Sequence, residues 1–497
     1  MDTHERGTEL GAEETLDPTT DEGWEALREL GHRMVDDVVA LHREIGGRPA
    51  WQPVPRASRE ALRGPLPSDG APLDETVARF REHVFPHYLG NIHPRGWGWV
   101  NGTGTTLGAY ADLMAAALNI NCAGADTGAR QVEEQVLETL KAAMGWPSTG
   151  SGILTSGASA ANLIGIAAAR DRAGQPVDVG RRGVAALPRP LVLYASAAVH
   201  NSVDRAVRLL GIGTDHLRRV PVDASWRMDV AALERAIAAD RNQGLEPFCV
   251  VATAGTVDQG AVDPLEALAD LSAREGLWLH VDGAFGAVAA LSDELRPLVA
   301  GMERADSLAF DLHKWMHVPI EAACVLVRDP EDHRRPFASS AAYLRALERG
   351  VAATDRWMYE YGPQLTRGFR ALKAWFLLRH HGTAKIGRLA AQNVRQTREL
   401  EALLRADPRV EVLASGPLCV LCFRCCPAGL EGEALDRFNE ELLADLQESG
   451  RAVVSSTSVG GAFALRLAIT NHRTRSADLG DFASTVAELA ARRARRA

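Results

Sequence analysis

Asp282 and Lys314, each just beyond a short apolar run, carry the strongest chemical signal in the chain. Lys314 sits in FDLHKWMH (residues 310–317), directly after His313. A lysine that forms a Schiff base must be held near a carbonyl and be deprotonated for part of its cycle. A rigid turn at the end of a buried strand provides both. A single lysine is most often a surface residue, so the argument depends on its companion. Asp282 ends the apolar part of WLHVDGAFG (residues 278–286) and is followed by Gly283, Ala284 and Gly286. A buried carboxylate needs a partner. A protonated ring nitrogen is one, and the pairing keeps the ring an electron sink. The small residues after Asp282 let a flat ring approach the backbone. An Asp bonded only to nearby amides is the plain alternative, and the presence of Lys314 tips the balance to the ring.

Two more strand-to-helix turns add to this pair. GILTSGASAANLIGIAAAR (residues 152–170) runs from a strand through Gly157, Ala158 and Ser159 into a helix. Free amides and the helix dipole make such a turn a phosphate site, although a Ser there also serves as a plain cap. In YASAAVHNSVDRA (residues 194–206), His200 follows another strand, placed to stack on a ring opposite Ala284.

The elements that position these residues follow from periodicity. Short apolar runs at 152–155, 190–195, 248–253, 277–281, 307–310 and 323–327 alternate with helical patterns. That alternation predicts an α/β domain with a mostly parallel sheet, whose ligands lie beyond the strands' carboxyl ends. Ahead of it, residues 24–42 and 74–85 read as helices joined by a proline-containing connector. Too thin to bury a core, this arm should lie against a partner subunit. After residue 385, helices over 386–407 and 435–448 and strands over 410–413, 419–424 and 463–468 predict a smaller α+β domain. The expected division is an acidic disordered tail (1–20), a helical arm (21–104), a large domain (105–384) and a small one (385–497).

A chain of 497 residues exceeds one ordinary core. The net charge of -9 argues against nucleic acid or anionic membrane as partner. No secretory signal and no membrane-spanning apolar run is read in the sequence, so the expected location is the cytoplasm. Seven cysteines do not suggest a disulfide scaffold. Cys419, Cys422, Cys425 and Cys426 read as a buried strand rather than a metal site, because no second paired ligand set follows. No metal is expected.

In combination and in this order, the four turns resemble the group II decarboxylases that depend on pyridoxal 5′-phosphate (PLP). His313-Lys314-Trp315 and His280-Val281-Asp282 are similar to that family's two signatures, and the likeness runs from about Trp24 to the end. It implies fold-type I (aspartate aminotransferase-like) and a homodimer with its site at the interface. It implies a Schiff base on Lys314, a ring-nitrogen contact at Asp282, ring packing by Ala284 and His200, and phosphate contacts from Gly157, Ala158 and Ser159. His313 falls beside the lysine, and Asp311 takes a cofactor-contacting position that is often Asn. FASSAAYLRALERG (residues 337–350) is similar to the family's catalytic loop. Tyr343 there implies protonation of Cα, and hence plain decarboxylation rather than aldehyde formation. The chain departs from the pattern at Gly255-Thr256-Val257, where the family has Gly-Thr-Thr, leaving Thr256 as the contact. It also departs at Thr127-Gly128, where Ser-Pro is common.

HPRGWGWVNGTGTT (residues 93–106) resembles the pocket-lining segment. Trp97 and Trp99 there suit either an aromatic pocket or core packing. The first expected substrate is an aromatic amino acid. The alternative is an acidic one such as glutamate, for which Arg95 is the nearest cation, and the rival reaction is an aldehyde synthase or aminotransferase.

Overall fold

Apolar runs without polar alternation become strands buried on both faces, as in a sheet covered by helices. The computed structural model describes residues 14–338 and 347–495. Its strands are β1 (Ser151–Thr155), β2 (Leu191–Ser196), β3 (Leu217–Val220), β4 (Glu246–Thr253), β5 (Trp278–Asp282), β6 (Ser307–Asp311) and β7 (Ala323–Val327). They form one sheet in the order β1-β7-β6-β5-β4-β2-β3. β7 runs antiparallel to both β1 and β6, and the remaining pairs are parallel. Every residue of β1, β2, β5, β6 and β7 is buried. The helix Ala158–Ala173 packs across β4, β5, β6 and β7. Register places Thr253, at the end of β4, beside Asp282, and Asp282 beside Ala309. The turns that follow these strands therefore converge at one end of the sheet.

Four further strands, β8 (Val410–Ser415), β9 (Val420–Cys425), β10 (Ser455–Val459) and β11 (Ala462–Ala468), pair antiparallel in the order β10-β11-β9-β8. With the helices Gly432–Glu448 and Ser476–Ala494 they enclose a second core around Phe423, Leu465 and Phe482. β3 and β10 had no counterpart in the sequence pattern. Both are edge strands buried only at their end residues, so their sequences LRRV and SSTSV carry little apolar periodicity. The expected helix over 386–407 is the second part of a longer one, Arg370–Arg405, broken where Gly382 takes φ 72°.

The chain divides into Met1–Gly47 and Arg48–Ala497. The first unit holds the helix Asp21–Glu44, N-capped by Thr20, whose side chain accepts the Gly23 N–H. In the second unit, residues 90–104 do not wait for a partner subunit. Their backbone is stitched to the C-terminal part of the same chain, with Trp97 N–H donating to Val453 O at 2.8 Å, Val453 N–H to Arg95 O at 3.0 Å and Ala468 N–H to Trp97 O at 2.9 Å. An extended segment must satisfy its own amides, and the nearby strand ends supply the partners. Among the described residues no helix is long and apolar enough to cross a membrane.

Candidate active site

Lys314 lies in the turn after β6, with its side chain 23% exposed. Its Nζ is 2.8 Å from Asp311 Oδ2. The other oxygen of Asp311 accepts the Ala158 N–H at 2.7 Å. One buried carboxylate thus joins the lysine turn to the first residue of the helix Ala158–Ala173. His313 Nε2 stands 3.8 Å from Asp311 Oδ2, and its Nδ1 is 2.8 Å from Ala322 O. Burial holds the His313 ring below the usual imidazole pKa. Gly157 lies beside both, since a Cβ there would meet His313 at 3.8 Å and Asp311 at 4.0 Å.

Asp282 is 3% exposed. Its Oδ2 accepts from Asn162 Nδ2 at 2.8 Å and its Oδ1 from the Ala284 N–H at 3.1 Å. Among the described residues, no basic group lies within ion-pair distance of it. Burial raises its pKa, opposed first by the positive charge of Lys314 and then by the two hydrogen bonds. A buried carboxylate bonded to two neutral donors calls for a cation. His200 takes the Ser202 backbone N–H on Nδ1 at 3.2 Å, and Ser202 Oγ lies 2.9 Å from the same nitrogen. Burial lowers the His200 pKa, while Asp282 works in the opposite sense.

The helix Ala158–Ala173 starts with Ser159 exposed, while Thr155 donates its hydroxyl to Gly157 O at 3.2 Å. The first-turn amides and dipole of a 16-residue helix suit an anion. Ala284 accepts the Asp311 N–H at 2.9 Å, tying the ends of β5 and β6. Thr256 is buried with its hydroxyl turned into its own loop, where it accepts the Ala261 N–H at 3.0 Å.

Lys314, Asp311, His313, Gly157, Ala158, Asp282, Ala284 and His200 are thereby brought to one end of the sheet. Arg95 and Trp97 are engaged elsewhere. Arg95 Nη1 pairs with Asp478 at 3.0 Å, and its Nε donates to Arg451 O at 2.7 Å. Trp97 is 1% exposed, donates Nε1–H to Thr474 Oγ1 at 3.0 Å and meets Phe482 edge-on at 5.2 Å. Of the two readings open for Trp97, its contacts are those of core packing: the indole finds its apolar surroundings and its acceptor in the second core. Trp99 is 49% exposed, with φ 54° and its N–H on Ser455 Oγ. Tyr343 lies outside the described residues.

Three residues escaped the sequence reading. Gly102 approaches the lysine turn so closely that a Cβ would fall 2.0 Å from His313 O and 2.3 Å from Lys314 O. Asn162 holds Asp282, and only its place one turn into the phosphate-turn helix hinted at that. Arg466 is 2% exposed, and its Nε and Nη2 have no partner among the described residues. A lone Arg inside the apolar run FALRLAI was its signal.

The family model described as "pyridoxal-dependent decarboxylase conserved domain" matches residues 69–426. An aromatic-L-amino-acid decarboxylase of Bacillus atrophaeus is 31% identical over 92% of this chain and 93% of its own. Tryptophan decarboxylase 1 of Oryza sativa subsp. japonica is 32% identical over 91% and 92%. The crystal structure of Oryza sativa TDC with PLP and tryptamine superposes with a TM-score of 0.88 at 29% identity, covering 96% of this chain and 99% of that one. The chain belongs to the pyridoxal-dependent decarboxylase family. Its fold is that of the PLP-dependent fold-type I enzymes, and its cofactor is PLP. The residues present fit that group, because the buried Asp282 carboxylate has no ion-pair partner among the described residues and Ser159 is exposed at the N-terminus of the helix Ala158–Ala173.

Proposed function

We propose that the chain decarboxylates an aromatic L-amino acid, with tryptophan, tyrosine and phenylalanine as first candidates, to its amine and CO2. The observation that carries the reading is Asp282, buried with no ion-pair partner among the described residues and within electrostatic reach of Lys314. Bound PLP supplies a sink for the electron pair left at Cα when CO2 departs. Lys314 would hold the cofactor through Nζ. Asp282 would hold the proton on the ring nitrogen, Ala284 and His200 would pack on the ring faces, and Gly157, Ala158 and Ser159 would take the phosphate. His313 and Asp311 set the lysine turn. Thr256 acts through its loop. Tyr343 delivers the proton to Cα, a role that rests on the sequence resemblance.

The aromatic substrate is favoured by the activities that the two relatives' names carry. It is also favoured by Arg95, whose ion pair with Asp478 removes the cation on which an acidic substrate was argued. We further assign a large and a small domain after the helical arm, a homodimer with the site at its interface, and a cytoplasmic location.

The test is absorption of the purified protein before and after borohydride, with Lys314→Ala alongside, followed by product analysis. A visible absorption band that is absent from the variant, with amine and CO2 from tryptophan or tyrosine, supports the reading. Amine only from glutamate replaces the aromatic substrate with an acidic one. Aldehyde in place of amine refutes plain decarboxylation.

A further inference from the structure

Behind Asp282 runs a line of buried polar side chains. Trp278 Nε1 is 2.8 Å from Ser307 Oγ, and Ser307 Oγ is 2.7 Å from His280 Nδ1. His280 Nε2 is 2.9 Å from Asn162 Oδ1. Asn162 Nδ2 is 2.8 Å from Asp282 Oδ2 and 3.0 Å from Ser202 Oγ, which lies 2.9 Å from His200 Nδ1. Trp278, Ser307, His280, Asn162 and Ser202 are all buried.

With Asp282 ionised, the hydrogens in this line have one placement. A carboxylate only accepts and an indole only donates. Asn162 must therefore turn its NH2 to Asp282, which leaves its oxygen facing His280. His280 then carries its proton on Nε2. Burial keeps that ring neutral, its pKa pushed down to about 3. Its bare Nδ1 takes the Ser307 hydroxyl hydrogen, and the Ser307 oxygen takes the Trp278 N–H, so the two ends agree. The second N–H of Asn162 goes to Ser202 Oγ. The Ser202 hydroxyl hydrogen goes to His200 Nδ1, which also receives the Ser202 backbone N–H.

We propose that Asn162 is a positioning residue: one amide orients the Asp282 carboxylate and, by way of Ser202, holds His200 as the tautomer protonated on Nε2. The inference rests on the roles given above to Asp282 and His200, and it adds a direction to them. His200 offers a donor at Nε2, suited to an anionic oxygen of substrate or cofactor. Through Nδ1 it cannot act as a base while Ser202 is in place. The space is kept by Gly165, one helical turn after Asn162. A Cβ there would fall 2.6 Å from His280 Nδ1 and 3.0 Å from Ser307 Oγ.

The test uses the PLP-loaded enzyme with 15N-labelled histidine, His200→Gln identifying the signals of that ring. The expected wild-type result is an unprotonated Nδ1 and a protonated Nε2. Asn162→Ala is expected to mix the tautomers and to weaken PLP affinity about tenfold or more, the scale of one hydrogen bond to a charged group. Ser202→Ala, which spares the contact with Asp282, is expected to mix the tautomers with a smaller loss of PLP affinity. A wild-type His200 protonated on Nδ1 overturns the inference, as does an Asn162→Ala enzyme with unchanged tautomer and PLP affinity. Should Asn162→Ala fail to fold, the wild-type spectrum and Ser202→Ala still decide. A wild-type protein that takes up no PLP overturns the functional reading itself, which is a separate and visible failure.

Discussion

β1 is an edge strand, and the outward backbone groups of Leu154 face no neighbouring strand. A buried ion pair takes that place. Glu133 Oε1 accepts the Leu154 N–H at 3.2 Å, and Arg367 Nη2 donates to Leu154 O at 3.0 Å. The two side chains pair at 2.5 Å and 3.2 Å, and Arg367 Nη1 also donates to Cys122 O at 2.6 Å. Leu154 is the residue before Thr155, where β1 runs into the turn that starts the helix Ala158–Ala173. Arg367→Met leaves the Glu133 carboxylate buried and unpaired, which costs about 3–5 kcal/mol. At about 2.1 cal/mol/K of unfolding entropy per residue, that lowers the melting temperature of a chain this size by roughly 3–5 °C. Because the turn loses its anchor, PLP affinity should fall as well. Thermal unfolding of the apoenzyme and PLP titration measure the two effects. Adding Glu133→Gln removes the stranded charge while keeping an acceptor for Leu154, so the double variant should recover at least half of the lost stability. A single-variant loss below about 1 kcal/mol, or a double variant no more stable than the single, refutes the reasoning.

Three other outcomes are expected. Gly102→Ala should push the 101–104 segment off the lysine turn, so that PLP retention falls while melting of the apoenzyme changes little; unchanged retention contradicts the close approach. Trp97→Ala should cost about 3–5 kcal/mol of stability, as for other buried aromatic truncations, and leave the ranking of aromatic substrates unchanged. A changed ranking would return Trp97 to the pocket. Burial pushes His280 and His333 each down to about 3, below the ordinary 6.5 of an unfolded histidine. Their contribution is complete above about pH 6.5 and is lost as pH falls toward 3, by about 1.4 kcal/mol per pH unit for each ring. Asp263, raised to about 6 by burial, acts oppositely: it favours the fold at low pH and loses that contribution as pH rises through about 6. Urea unfolding from pH 7 to 5 should show stability falling as pH falls, with one proton less in the slope for His333→Gln.

The sequence alone determined the strand-to-helix alternation and the chemistry at each strand end. A fully buried strand must be written in uninterrupted apolar residues, and its terminating turn shows as a break in that run. Asp282, Lys314, His200 and the Gly157–Ser159 turn were legible for that reason, and β3 and β10 were not, because only their end residues are buried. Tertiary structure decided which partners those residues meet. Asn162 reaches Asp282 and His280 only because its helix crosses β5 and β6, an adjacency set by strand order and not by distance along the chain. Trp97 could have entered a pocket or a core on its sequence alone; pairing of the 90–104 backbone with Val453 and Ala468 carried it into the second core. Gly102 meets Lys314 through the same long-range path, which no local pattern encodes.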